Sequence, residues 1–160
     1  LHAEDAGAIS RIGSRPEVAR MMTTISLPWP EETVRRWIEM SRFRGRSGYR
    51  LGISLKGRLV GVLGFGPDQS VSYFVAPEVW GQGIATEAMA RFISDIFARF
   101  PGVQTLSADH FMDNRASGRV LRKLGFEQIG AAMGRSDARA GPVPDVRYRL
   151  TRRMWEAREA

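Results

Sequence analysis

Cysteine is absent from the 160-residue chain. That absence excludes disulfides and thiolate zinc sites. Histidine is scarce, with His2 and His110 alone. A histidine-rich metal site is therefore not expected, and no metal is assigned. No apolar run approaches the length of a membrane span, so no membrane partner is expected. No signal-peptide pattern opens the chain, which makes a soluble, cytoplasmic protein the default expectation. Acids are outnumbered: 17 Asp and Glu face 24 Lys and Arg, for a net charge of +7. A lysine-rich block is missing, and so is a basic helix interleaved with aromatics. The densest basic grouping is Arg147, Arg149, Arg152 and Arg153. The charge thus fits a small polyanionic ligand or a solvated basic surface better than nucleic acid.

What is present suits one domain with a real core. Hydrophobic residues make up 43% and charged residues 26%, ordinary values for a globular protein. Short helices are expected over 3–12 and 16–22, then a rigid Leu27–Pro30 link. Pro30, Glu31 and Glu32 open a third helix, whose inner face holds Val34, Trp37, Ile38 and Ser41. Residues 42–48 read as a loop. The period then changes to two. Strands are expected over 49–55, 58–66 and 70–76, the first two joined as a hairpin at Lys56-Gly57. Residues 84–100 carry a broad apolar stripe at helical spacing. A strand over 103–111, a short helix to Leu124 and closing strands over 126–132 and 146–151 complete the order. This is a mixed α/β, or α+β, sheet with helices on its faces. The strand–turn–helix–strand piece is a βαβ unit, whose strands should lie parallel.

Two segments carry chemistry. The first is Pro77-Glu78-Val79-Trp80-Gly81-Gln82-Gly83-Ile84-Ala85-Thr86-Glu87. A strand ends, a glycine-rich turn follows, and a helix begins at once. Glycines let the backbone approach a ligand, and the first N–H groups of a helix point outward unpaired. The pattern builds an anion site, or a bare βα turn. It is not a P-loop, and Thr86 breaks the dinucleotide fingerprint. The second segment is Asp113-Asn114-Arg115-Ala116-Ser117-Gly118-Arg119-Val120-Leu121-Arg122-Lys123-Leu124-Gly125-Phe126. Asp113 or Asn114 caps its helix, and Gly125 stops it.

Together the segments resemble the GNAT superfamily of N-acetyltransferases, in its ribosomal-protein N-terminal acetyltransferase-like branch. Trp80, Gly83 and Ala85 stand at the positions of the family's Gln/Arg-x-x-Gly-x-Gly/Ala turn. Asn114, Ser117, Leu121, Lys123, Gly125 and Phe126 match the branch's second motif, apart from a one-place shift of aliphatic residues. Tyr73-Phe74-Val75 and Leu150-Thr151-Arg152 also fit. The resemblance implies a single domain over 1–160. Its central sheet is mostly antiparallel with one parallel, splayed strand pair, flanked by helices. Relatives begin with a strand ahead of the Leu1 equivalent, so the chain is expected to start inside the domain.

The resemblance further implies acetyl-CoA as co-substrate and an amine acceptor, either a peptide N-terminus or a small molecule. The pyrophosphate is expected on Trp80, Gly81 and the N–H groups of Gln82, Gly83, Ile84, Ala85 and Thr86. Phe74, Val75 and Ala76 are expected to offer backbone groups to the pantetheine arm. Asn114, Ser117 and Lys123 are expected to contact the cofactor. Asp109 stands where relatives often carry a base, and its other reading is a structural carboxylate. His110 should face the opposite side of its strand. Ser117 is the branch's candidate acid, and Asn114 joins it in the catalytic set or serves only as a cap. Two family positions depart from pattern: Ser70 replaces a strand glutamate, and Leu121 replaces a tyrosine. These departures keep open a catalytically degenerate acyl-CoA-binding module. Acceptor specificity is expected from the first helices and the loops 42–48 and 133–146. Met21, Met22, Trp29 and Trp37 would line its mouth or pack in the core. A homodimer is expected by analogy.

Overall fold

Period-two patterning yields strands where it predicts them. In the computed structural model, which describes residues 1–159, β1 (Tyr49–Leu55) and β2 (Arg58–Phe65) pair antiparallel. β3 (Val71–Val75) adds antiparallel to β2. β4 (Thr105–Phe111), β5 (Glu127–Gly134) and β6 (Val143–Thr151) form a second antiparallel sheet with β6 in the centre. The sheets meet where β3 and β4 run parallel, as the βαβ connection requires. They touch there as a ladder only at one point. Ser70 bridges Ser107, and the Ser107 N–H donates to the Gln69 carbonyl at 3.1 Å. Beyond that bridge the strands part into separate sheets.

Helices cover both faces. α1 (Ala6–Gly13), α2 (Pro16–Ala19) and α3 (Glu31–Met40) pack on one side of the first sheet. Ala6, Ile9, Trp29, Val34 and Ile38 meet Val62 and Phe74 there. On the other side lies α4 (Ile84–Arg99), which buries Met89, Phe92, Ile93, Ile96 and Phe97. They join Phe65, Leu106, Tyr148 and Leu150 in the main core. Each such side chain contributes about 1.5–3 kcal/mol by leaving water. α5 (Arg115–Lys123) follows β4, and α6 (Arg152–Glu159) closes the described chain.

Several expectations shift. The second helix ends at Ala19 rather than Met22. The closing strands run longer, leaving 135–142 as the loop between them. Trp29 is a core residue at 3% exposure, edge-on to Trp37 at 5.2 Å. α6 was not expected at all. Its anchor is Trp155, whose indole N–H donates to Ser94 Oγ at 3.2 Å. Arg152 opens α6 and caps the end of α4, donating to the carbonyls of Phe97, Phe100 and Val103. These carbonyls lack helical partners, and the cation suits the negative end of the dipole.

Candidate active site

The parting of β3 from β4 leaves a cleft of about 680 Å³. Its walls are β3, the glycine turn, the start of α4, the end of β4, α5 and the Met21–Thr23 segment. The turn is built as an open cradle. Gly81 and Gly83 adopt φ of +74° and +76°, a region that L side chains rarely enter. A Cβ on either would meet no protein atom within 4 Å, so the space above the turn is free. Glu87 is the first residue of α4 to bond back, its N–H donating to the Gly83 carbonyl at 3.0 Å. The N–H groups of Ile84, Ala85 and Thr86 come before it and lack helical acceptors. They form the positive end of a sixteen-residue helix. Trp80 is half-exposed and pins the turn to β3, its indole N–H donating to the Val75 carbonyl at 2.7 Å.

The phase of β3 decides which backbone groups face the cleft. Ala76 N–H donates to the Val60 carbonyl at 2.7 Å, and the Phe74 carbonyl lies against Gly61. Both therefore face β2. Alternation turns the groups of Tyr73 and Val75 toward the cleft. The expected stretch of Phe74, Val75 and Ala76 is thus out of step at two positions. Ala76 and Gln82 stand outside the cleft lining, whereas Phe74, Trp80 and Lys123 belong to it.

α5 forms the facing wall. Asn114 caps it, its side-chain oxygen accepting the Ser117 N–H at 3.2 Å. Ser117 Oγ lies 2.8 Å from the Tyr73 hydroxyl, so the two side chains close a bridge across the cleft. Burial raises the Tyr73 pKa, and the bond to Ser117 opposes that rise. The phenol is therefore neutral near pH 7. Arg115, Arg119 and Lys123 recur every fourth residue and all line the cleft. None of the three is ion-paired among the described residues.

Asp109 sits near the end of β4, opposite Arg147 of β6, and opens into the cleft. Crowding by protein raises its pKa, and the nearby charge of Asp145 adds to this; Arg147 opposes both. His110 also belongs to the cleft lining, but its ring turns to the opposite face of β4, toward Gly118 of α5. Its Nδ1–H donates to the Phe111 carbonyl at 2.7 Å, and Nε2 accepts from the Tyr148 hydroxyl at 3.0 Å. Both ring nitrogens are spent within the fold. Leu121, at the family's tyrosine position, is core.

The loop 135–142 stands outside the cleft lining but is tied to its walls at Asp113 and at the end of α2. Arg139 donates to both carboxylate oxygens of Asp113, at 2.8 and 2.9 Å, and to the Arg20 carbonyl at 2.8 Å. Its guanidinium lies 4.8 Å over the Phe111 ring. That bond holds Asp113 below its usual range. Asp137 N–H adds a bond to the Thr23 carbonyl. Met21 and Met22 line the cleft, but Trp29, Trp37 and the loop 42–48 do not. Phe43 of that loop packs on Tyr49 instead.

Sequence reasoning missed Tyr73, Arg115 and Arg119. The arginines were legible from their spacing ahead of Lys123. The Tyr73–Ser117 contact spans 44 residues and leaves no local signal.

A family model described as an acetyltransferase (GNAT) domain matches residues 1–127. The chain belongs to the GNAT acetyltransferase family. YoaA of Bacillus subtilis, an uncharacterized N-acetyltransferase, is 29% identical over 140 residues, covering 79% of this chain and 76% of its own. RimJ of Mycobacterium smegmatis, solved with CoA-disulfide, shares the fold at a TM-score of 0.78 and 22% identity. That match covers 96% of this chain and 80% of RimJ. AAC(6')-Ib, solved with ribostamycin and coenzyme A, aligns at a TM-score of 0.80 and 16% identity, covering 100% and 95%. The GNAT assignment accounts for the split sheet and for the turn placed beside it.

Proposed function

We propose that the protein transfers an acetyl group from acetyl-CoA to a primary amine, on a peptide N-terminus or a small molecule. One observation carries the reading: an open glycine turn at a helix N-terminus faces a stripe of free cations across a cleft. A ligand with phosphates at one end and a peptide-like arm suits that cleft. The N–H groups of Ile84, Ala85 and Thr86 would hold the pyrophosphate, and Arg115, Arg119 and Lys123 would neutralise it. The free backbone groups of Tyr73 and Val75 N–H would pair with the arm. Two solved neighbours named above carry CoA or its disulfide, which supports the choice of ligand.

Acetyl-CoA supplies an activated acetyl group. The amine nitrogen attacks the thioester carbonyl carbon, the C–S bond breaks, and the amine loses a proton. Asp109 is the acceptor we assign for that proton, directly or through water. Ser117 is the hydrogen-bond donor we assign to the leaving thiolate, which takes its proton from water. With the Tyr73 O–H donating to Ser117 Oγ, the serine proton is free to point into the cleft.

The buried Leu121 favours a second reading, a CoA-binding module without turnover. Free-thiol release from acetyl-CoA, measured over a panel of amines and peptides, separates the two. Release that depends on an amine supports transfer. Binding of acetyl-CoA with no release for any amine supports the module.

A further inference from the structure

The cleft does not end at Asp109. A second cavity of about 270 Å³ opens beyond it, and Met21, Thr23, Asp109 and His110 belong to the walls of both. It lies over the face of β4 and β6 opposite α5, since Asp109 and Arg147 alternate with His110 and Tyr148. Its lining carries charges of both signs in a fixed order. Asp109 stands at the junction with the cleft. Arg147 lies across the strand pair from Asp109, and Asp145 steadies it by accepting from Nε at 3.3 Å and Nη2 at 3.5 Å. Asp145 is only 4% exposed and rests on Gly134, where a Cβ would come within 2.6 Å of its carboxylate. That packing leaves Asp145 little freedom, so it fixes where the guanidinium stands. Arg147 keeps half its side chain exposed. Arg135 adds a second guanidinium at the wall and has no ion-pair partner among the described residues.

We propose that this second cavity is the acceptor subsite and takes a small zwitterion, a primary amine that also carries a carboxylate or phosphate. The inference rests on the acetyl-transfer reading above. The amine meets Asp109 at the junction, where the cleft would deliver the thioester. The anionic group meets Arg147 and Arg135, whose planar forks match carboxylate and phosphate oxygens. Size argues for a small partner, because the cavity falls just under the roughly 300–1,000 Å³ of pockets that enclose a whole ligand. Charge argues against a polycation. Within the cavity two arginines balance the two acids, and the protein as a whole carries +7. A polyamine or aminoglycoside would be repelled on approach, whereas an anionic group is attracted. A peptide amino terminus carries an amide where the zwitterion carries its anion, so it leaves the two guanidiniums without a partner.

The test is steady-state acetylation by the full chain, with calorimetric binding of acetyl-CoA as a parallel measurement. The acceptors are free amino acids, 2-aminoethyl phosphate, the matched amino alcohol, spermidine, an aminoglycoside, and a neutral peptide with a free N-terminus. The zwitterions should have the highest kcat/KM, and the carboxylate and phosphate arms show which anion is preferred. R147A and R135A should raise KM for zwitterions by about tenfold or more, the loss expected for a charged hydrogen bond. R147K restores the charge without the fork and should recover only part of that loss. The double variant R135E/R147E should reverse the preference toward the amino alcohol and spermidine. Preference for spermidine, the aminoglycoside or the peptide in the natural chain would overturn the proposal. So would an unchanged zwitterion KM in R147A. A chain that fails to bind acetyl-CoA contradicts the transfer reading itself, a result distinct from either.

Discussion

Tyr73 and Ser117 meet at 2.8 Å from opposite walls of the cleft, although one belongs to a strand and the other to a helix. If that contact orients the serine proton, removing either hydroxyl should slow the chemical step. Y73F and S117A should lower kcat by about 10²-fold or more, the usual range for a positioned hydrogen-bond donor, and leave acetyl-CoA affinity little changed. Stopped turnover with retained calorimetric binding is the signature. An unchanged kcat in both would remove the pair from the reaction. Asp109 gives a second prediction at this scale. As a base it must be deprotonated, and its pKa lies above the ordinary carboxylate value of about 3.9. Activity should therefore rise with pH through that elevated pKa, and D109N should abolish this limb. The same shift has a stability consequence of defined sign. The folded state holds the Asp109 proton more tightly than the unfolded state. Its contribution is full below the unfolded pKa and lost as pH rises through the folded one. Denaturant titrations across that window should show the loss in the natural chain and not in D109N.

The glycine turn and α4 act as a unit. The fold does not need the empty space above Gly83, but the proposed ligand does. G83V would place a side chain at φ +76°, a strain of about 1–2 kcal/mol, in space that no protein atom fills. The variant should fold with a modest drop in stability and lose acetyl-CoA binding. Far-UV circular dichroism with calorimetry reads both, and native affinity in a folded G83V would show the turn is not the cradle. The facing element, α5, places cations at 115, 119 and 123 along the cleft. Together the two helices present a positive N-terminus and a positive face to one slot, which explains how a scattered charge excess acquires a direction.

At the scale of the molecule, one buried guanidinium joins segments far apart in the sequence. Arg139 ties the 135–142 loop to α2's end and to the start of α5, with its side chain 8% exposed. R139A should cost about 1–3 kcal/mol, or roughly 2–4 °C of Tm per kcal/mol in a domain this size. It should also raise acceptor KM, since Arg139 ties Asp113 of the cleft wall to a loop whose Arg135 lines the second cavity. Thermal melts and acceptor kinetics check the two effects separately.

Much of this architecture was legible. β1 forms over the expected Tyr49–Leu55, and α4 starts at Ile84 as its apolar stripe requires. The turn and the Asn114 cap lie where their residue types put them. α6 escaped because Trp155 is its one buried residue, too little for a periodic signal. The Tyr73–Ser117 bridge and the second cavity escaped for another reason. They join strands and helices that only the splayed sheets bring together. The phase of β3 also needed structure, because backbone direction depends on the β2 register and not on side-chain pattern.

The cleft between the sheets is the site we assign to acetyl-CoA. Calorimetric titration of the purified chain with acetyl-CoA, at low and at moderate salt, tests it directly. One-site binding is expected, weakening as salt screens Arg115, Arg119 and Lys123. No binding heat at millimolar acetyl-CoA in either buffer would contradict it.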